Sequence, residues 1–527
     1  MTDRAVRKLV SSGAVVTDAG TIGDSILIVD GSVAAVGDRG DLATEGVIEK
    51  RYDGATIVPG LRDVHFHAVP YAALLEGCSL KSATDMEDLK ARLVGHSSSI
   101  AEGQPVVATR FDDESLAERR LPTRRDLDAA ISDRPVVIYR YCGHLAVANT
   151  MALDASGIAA DTADPEGGSI DRGPDGQPTG VLRETATGLL SSALARGTQM
   201  SDENLLVALE GLSGLGITSI GAMIGYGERP FEQLGAELEL WTRIASRLPI
   251  RVHGFVITDT PARLEESALS LTGAGERLRW LGVKRFADGS LGGHTAAMNT
   301  PFADVDTTGT LRLTPADTAV SRKSIELGGM VAIHAIGDRA IDGVLDVFED
   351  LIDGGADPRD LRVEHASVIS PPQIARLKGL GVSAAVQPAF LASEAGWVAS
   401  RVGPGRAAWL YPFRSLLEAG VPLAGSSDCP VEPPHPLWGM AAAMDRHGIN
   451  PDQQLTGTEA LAMFTSGAAR LLSEPEPLSE GSPADFVILD TDPTTATAGE
   501  VRNARVLDTY VDGIRVDVDR SRPVWTS

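Results

Sequence analysis

Between residues 57 and 427 the sequence keeps returning to one device, a short apolar run that is then followed, in most cases, by a stretch with helical periodicity. The runs lie at 57–66, 217–222, 251–257, 281–286, 330–336, 361–366, 381–387 and 421–427, and helix-like stretches such as 340–351 and 371–377 separate them. Runs this short, apolar at consecutive rather than alternate positions, are the pattern of parallel strands covered on both faces. Eight such strands predict an α/β protein built on a closed (β/α)8 TIM-like barrel. The competing architecture is an open doubly wound sheet, yet no Gly-x-Gly-x-x-Gly or Walker loop follows an early strand.

The two ends read differently. Residues 13–56 carry short apolar runs broken by Asp30-Gly31 and Asp53-Gly54, and 484–490 and 506–513 repeat that texture. This is the punctuation of short antiparallel strands. Since chain ends are often close in space, residues 1–60 and 470–527 are expected to form one composite β-sandwich domain beside a barrel spanning 61–469. The interval from His67 to Ile217 exceeds one strand–helix unit. It is read as an inserted subdomain at about 70–205, with a strand at 135–139, carried on the face of the barrel where functional elaboration accumulates.

Seventy-two acidic residues against 47 basic ones give a net charge of −25, which disfavours nucleic acid and anionic membranes as partners. Three scattered cysteines, Cys78, Cys142 and Cys429, make no disulfide framework. With no secretory leader or membrane span evident, a reducing, cytoplasmic location is the expectation.

Chemistry is concentrated where the apolar runs end. His65 and His67 close the first run, and alternate residues of a strand share a face, so both imidazoles are expected to point one way. Lys284, His334, His365 and Asp428 stand at or near the ends of the fourth, fifth, sixth and eighth runs. Any one has an ordinary alternative: Lys284 as a salt-bridge lysine, Asp428 as a helix cap. Together they would converge at the C-terminal mouth of a barrel, where imidazoles and carboxylates suit one or two divalent metal ions. Protonated Lys284 cannot bind a cation, but its carbamate, formed with carbon dioxide, has two bridging oxygens. The expected set is His65, His67 and Asp428 on one ion, His334 and His365 on the other, and N6-carboxylated Lys284 between them. Asp428 would also move protons, as general base and then acid, in hydrolysis of an amide-like bond of a small-molecule substrate.

Further candidates are assigned to substrate. His144 and Asn149 lie in the inserted region, Asp288 and His294 flank a glycine-rich loop after Lys284, and Phe390, Trp397 and Trp438 could form an apolar wall. Asp338, four residues after His334, would orient a histidine or cap the next helix.

The segments VPGLRDVHFHA (58–68), PVVIYRYCGHLAVANTMAL (135–153), PEGGSI (165–170), GQPTGVLRETA (176–186), GVKRFADGSLGGHTAAM (282–298), IHAIGDRAI (333–341), VEHASVISP (363–371), SSDCPVEPPHP (426–436) and GSPADFVILD (481–490) together resemble the amidohydrolase superfamily. The resemblance is to its YtcJ-like branch, which includes N-substituted formamide deformylases. It implies a metal-bearing barrel, a small β-sandwich from the chain ends, an insertion near the active site, and zinc as the usual metal. It places the ligand roles on His65, His67, Lys284, His334, His365 and Asp428. His294 stands where many relatives carry arginine or another polar residue, which bears on substrate preference. Within this resemblance, cleavage of a non-peptide carbon–nitrogen bond is the leading expectation. Esterase, cyclic-amide hydrolase and deaminase activities are the alternatives, with a noncatalytic metal-binding scaffold as the outlying one. Association as a homodimer is compatible with this fold class.

Overall fold

The computed structural model describes residues 7–141, 145–165, 168–190, 200–227 and 237–518. At its centre are eight parallel strands: β1 (Leu61–Phe66), β2 (Ile217–Gly225), β3 (Arg251–Ile257), β4 (Leu278–Phe286), β5 (Met330–Ala335), β6 (Leu361–His365), β7 (Ser383–Val386) and β8 (Leu423–Gly425). Each pairs with the next in chain order. Past the end of β8 the ring is drawn shut against β1, where Asp428 N donates to His65 O (3.1 Å) and His67 N to Cys429 O (2.9 Å). A parallel bridge joins Phe66 to Cys429. The result is a near-closed TIM-like barrel.

The consecutive apolar residues follow from this arrangement, because each strand is buried on both faces. On β5, Met330 and Ala332 join Val64, Met223, Phe255, Ala385 and Ala424 inside the barrel. Val331, Ile333 and Ala335 belong to the outer layer that packs on the helices. The helix Asp338–Asp353 shows the complementary pattern, burying Ala340, Ile341, Val344, Leu345, Phe348 and Leu351 along one face. Each large aliphatic side chain so buried contributes about 2 kcal/mol. The short helix Ser466–Leu471 and its C-cap Leu472 lie against the inner layer and add Ala468, Leu471 and Leu472 to it.

The apolar run at 57–66 is not one strand but two. Thr56–Pro59 belongs to the sheet made by the chain ends, Leu61–Phe66 to the barrel, and the chain changes sheets at Gly60. Gly60 N donates to Asp485 O while Leu61 N donates to Gly216 O, and a Cβ at Gly60 would lie 2.8 Å from Thr218 Cγ2. Both halves are apolar for different reasons, since each is buried in its own sheet. The end sheet has eight strands drawn from 7–59 and 486–515, with its own apolar core around Val15, Ile26, Ile57, Phe486 and Ile488.

Between β1 and β2 lies a second, six-stranded sheet, running Cys78–Ser79, Val106–Phe111, Val136–Arg140, Leu145–Ala148, Gly168–Arg172 and Pro178–Glu184 in chain order. Leu89, Phe111, Leu127, Val136 and Ile138 form its separate core. Among the described residues no helix is long and apolar enough to cross a membrane.

Candidate metal centre at the barrel mouth

Three buried residues, His65, His365 and Asp428, have ligand atoms that all lie within 4.8 Å of one another. Local backbone irregularities bring them together. Along β1, Asp63 faces Ile220 and Phe66 faces Ala222 of β2, so β1 carries one residue more than its partner. This bulge turns His65 inward directly after inward-facing Val64. His67 lies just past the strand, at the start of helix Ala68–Glu76. His65 Nε2 and His67 Nε2 stand 3.2 and 3.3 Å from Asp428 Oδ1. Positive φ angles at His365 (73°) and Asp428 (55°) break the alternation of β6 and the chain after β8, and backbone of this kind is held only where its surroundings fix it.

Each buried imidazole is oriented through its other nitrogen. His65 Nδ1 lies 2.6 Å from Glu364 Oε2, and His365 Nδ1 lies 2.7 Å from Gln387 Oε1. With protons on the two Nδ1 atoms, the Nε2 lone pairs are available, and both Nε2 atoms are buried without a hydrogen-bond partner. Burial lowers the pKa of His65 despite Asp428 and Glu364, and holds that of His365 well below the ordinary value with His334 beside it, so burial favours the neutral form of both rings. Burial by itself would raise Asp428, but its polar contacts with His65, the hydrogen bond to His67 and the nearby His365 ring hold it well below the usual carboxylate range. Neutral imidazoles with outward lone pairs beside an ionised carboxylate are the donor set a divalent cation requires. The residues fit the group.

Lys284 is buried at the same level, its Nζ 3.9 Å from the centroid of the Phe286 ring, two residues on along the same face of β4. Burial pushes its pKa down to about 8 against the attraction of Glu364 and Asp428. His334 stands beside His365, with ring centroids 4.4 Å apart. Its Nε2, however, is turned to the loop after β4, 3.0 Å from Gly289 O and 3.2 Å from Asp288 Oδ1. The structure brings the expected pair His334 and His365 side by side, with this nitrogen turned to the loop carbonyl.

The substrate candidates divide. Phe390 is buried and stacked on His365, with centroids 6.4 Å apart and rings 8° from parallel. Asp288 is buried and accepts from the backbone N–H groups of Ala297, Ile336 and Gly337, which makes it the fastener of that loop. Asp338, similarly, accepts from Asn299 N and Arg339 N at the start of its helix. His294 is turned to Asp304, 3.1 Å away. Three assignments need correction. Asn149 is fully buried, caps helix Thr150–Ala155 and donates to Ile131 O and Arg134 O, so its amide is consumed inside the inserted subdomain. Trp438 is held between His435, with ring centroids 4.7 Å apart, and the Arg502 guanidinium, 4.7 Å from its centroid. Trp397 lies half-buried under Arg401, 4.5 Å away. Among the described residues, neither tryptophan has a ring contact with His65, His67, His334 or His365. His144 lies outside the described residues.

The sequence reading missed the residues behind the candidate ligands. Glu364 and Arg362 are completely buried, and Arg362 Nε donates to Glu364 Oε1 while its terminal nitrogen donates to Val64 O (2.8 Å). Although burial opposes it, the charge of Arg362 leads the interactions that hold Glu364 ionised, at about 2. Asp63 ties β1 to the end of β8 by accepting from His65 N, Ser427 N and Ser427 Oγ. A signal was available: Arg362 and Glu364 are charges two residues apart inside an apolar strand, hence on its inward face.

Residues 53–517 match the family model described as the amidohydrolase family. The chain belongs to the amidohydrolase family. Among curated relatives, YtcJ of Bacillus subtilis strain 168 is 28% identical over 517 residues, covering 94% of this chain and 95% of its own length. N-substituted formamide deformylase of Arthrobacter pascens is 30% identical over 534 residues, covering 93% and 94%. Among solved structures, a metal-dependent hydrolase of Pyrococcus horikoshii superposes with a TM-score of 0.71 at 30% identity, over 94% of this chain and 99% of the other. The amidohydrolase fold thus carries its converging histidines and aspartate at the mouth of a parallel barrel.

Proposed function

We propose that this amidohydrolase hydrolyses a non-peptide carbon–nitrogen bond in a small N-acyl or N-formyl amine. The observation that carries the reading is the convergence of two unpartnered, buried Nε2 lone pairs on ionised Asp428. It is supported by likeness over most of the chain to a protein named N-substituted formamide deformylase. His65, His365 and Asp428 would hold a divalent ion, zinc by its preference for imidazole and carboxylate, with His67, His334 and Lys284 as the further ligands of a two-ion site. When bound, such an ion supplies Lewis acidity, polarising a carbonyl and lowering the pKa of water.

The side chains carry the remaining work. Asp428, ionised and beside His67, accepts a proton at Oδ as water adds to the carbonyl carbon and the new carbon–oxygen bond forms. When the tetrahedral adduct collapses and the carbon–nitrogen bond breaks, the same carboxyl returns that proton to the departing nitrogen. The products are a carboxylic acid and an amine. Glu364 and Gln387 keep the imidazoles in one tautomer throughout, and Phe390 offers a flat apolar surface beside His365 for a planar group. The pKa of Lys284, near 8, leaves a useful fraction of neutral amine near neutral pH. That amine can add to carbon dioxide, losing a proton and forming the carbamate.

The reading also takes the end sheet as a folded sandwich distinct from the barrel at 61–469, and the protein as cytoplasmic, with homodimerisation an assembly the fold class allows. The deciding experiment is release of amine and acid from a panel of N-substituted formamides and N-acyl amines by zinc-loaded protein, with metal-stripped protein as control. Turnover confined to esters, to cyclic amides or to ring amidines with release of ammonia would replace this substrate class. Metal binding without turnover anywhere on the panel would make the protein a scaffold.

A further inference from the structure

Among the residues by which the inserted subdomain meets the barrel mouth, one is unusual. Glu184 ends the last strand of the inserted sheet, is buried, and has φ of 51°, uncommon for a residue with a side chain. Its carboxylate enters the loop that follows β4. Thr295 Oγ1 donates to Glu184 Oε1, and Glu184 Oε2 lies 3.9 Å from a terminal nitrogen of Arg312.

That loop is closed on itself around Thr295. Ser290 N donates to Thr295 Oγ1 (3.0 Å), Gly289 N to Thr295 O (3.3 Å), and Thr295 N and Ala296 N to Ser290 O (both 3.0 Å). Gly289 is required where it stands, because a Cβ there would lie 2.6 Å from Glu184 Oε1 and closer still to Thr295 Oγ1. The carbonyl of the same glycine receives His334 Nε2 at 3.0 Å. An unbroken path of contacts therefore runs from the inserted sheet, through Thr295 and Gly289, to a histidine of the metal-centre group.

We propose that Glu184 is a positioning residue: a carboxylate supplied by the inserted subdomain that clamps the 288–297 loop and so fixes the direction of the His334 ring. The insertion then belongs to the active-site framework rather than being an appendage beside it. This stands independently of which bond the enzyme cleaves.

The test compares E184A, E184D and E184Q in the full-length protein by hydrogen–deuterium exchange and by the 15N signal of His334. E184A removes the clamp. E184D keeps a negative charge beside Arg312 and tolerates the positive φ, but withdraws the carboxylate by one methylene. E184Q keeps an oxygen that can accept from Thr295. In E184A and E184D, exchange of the amides of residues 289–297 rises about tenfold, as expected for the loss of one buried hydrogen bond, and the Nε2–H signal of His334 moves. E184Q restores most of the protection, and exchange in the end-sheet strand Phe486–Leu489 stays as in the wild type. Unchanged loop exchange and an unmoved His334 signal in E184D would overturn the proposal. So would protection lost equally in the loop and the end sheet, the mark of general destabilisation. If E184A does not fold, E184D and E184Q decide.

Discussion

Among the described residues the barrel holds a buried histidine–carboxylate cluster at each end, and the two are built to opposite specifications. At the bottom, Glu474 accepts from Arg62 Nε (2.6 Å) and Ser219 Oγ (2.5 Å) and lies 2.6 Å from His253 Nε2. At the mouth, the ion-pair partners of Asp428 among the described residues are His65 and His67. The bottom carboxylate thus has a permanent cation and the top one has imidazoles. An unpartnered ring nitrogen does not distinguish them, since His253 Nδ1 also lacks a partner. Convergence does: at the mouth two such nitrogens meet a carboxylate within 4.8 Å, and this is the one group of that kind among the described residues. A buried ion pair closes the bottom of the barrel; an incomplete one at the mouth is arranged for a cation from outside.

The sharpest way to break this comparison is to neutralise each carboxylate in turn. Asp428→Asn keeps the shape of the mouth but removes the proton acceptor, and turnover of an amide substrate should fall about 10,000-fold. Because Asp428 forms no ion pair with an arginine or lysine among the described residues, the metal-free variant should melt closer to the wild type than Glu474→Gln does. Normal turnover would remove Asp428 from the reaction, and a markedly lower melting temperature would make the mouth cluster structural.

Glu474→Gln should do the reverse. It strands the buried guanidinium of Arg62 and should cost about 3 kcal/mol of stability by denaturant titration, with metal stoichiometry unchanged. The pH dependence follows from the same contacts. Burial pushes Glu474 up, but the charge of Arg62 and the hydrogen bonds from His253 and Ser219 outweigh it and hold its pKa well below the unfolded value. A depressed folded pKa gives stability that is whole above the unfolded carboxylate pKa of about 4.3 and is lost as the pH falls below it. The wild type should therefore weaken in acid more steeply than Glu474→Gln, and parallel acid profiles would show that the bottom pair is not what it appears on geometry.

Much of this was legible before the structure, for a physical reason. Barrel strands buried on both faces must be apolar, so His65, Lys284, His334, His365 and Asp428 stand out at their ends, and closure brings those ends together whatever their separation in sequence. The run at 57–66 read as one strand because two different sheets impose the same apolar demand on either side of Gly60. The direction of His334 was not legible, because a loop carbonyl forty-five residues upstream sets it. Asn149 and Trp438 turn out to stand in a helix cap and a guanidinium–indole contact, roles that use the same side chains as a binding site. Glu364 was overlooked next to a more conspicuous histidine, although a charge inside an apolar strand is a stronger constraint than a histidine at its end.

That overlooked residue sharpens the contrast between the two ends. Glu364 is to His65 what Arg62 is to Glu474, the group that fixes its state, but it acts by orientation rather than by charge neutralisation at the ligand. Glu364→Gln can still meet Nδ1 of His65 yet loses its ion pair with Arg362, and zinc affinity should fall between about 10- and 100-fold in competition with a chelator. Affinity equal to the wild type would show that the tautomer of His65 is set without Glu364.

The smallest effect separates the mouth from the inserted subdomain. Asn149→Ala removes an amide that caps Thr150–Ala155 and bonds Val136 N, Ile131 O and Arg134 O. A lost cap with its buried bonds should cost about 2 kcal/mol, read as earlier loss of protection in the inserted sheet during denaturation. Metal affinity and turnover at saturating substrate should be those of the wild type, because none of the contacts of Asn149 leads to the histidines. A selective rise in KM without loss of stability would return Asn149 to the substrate.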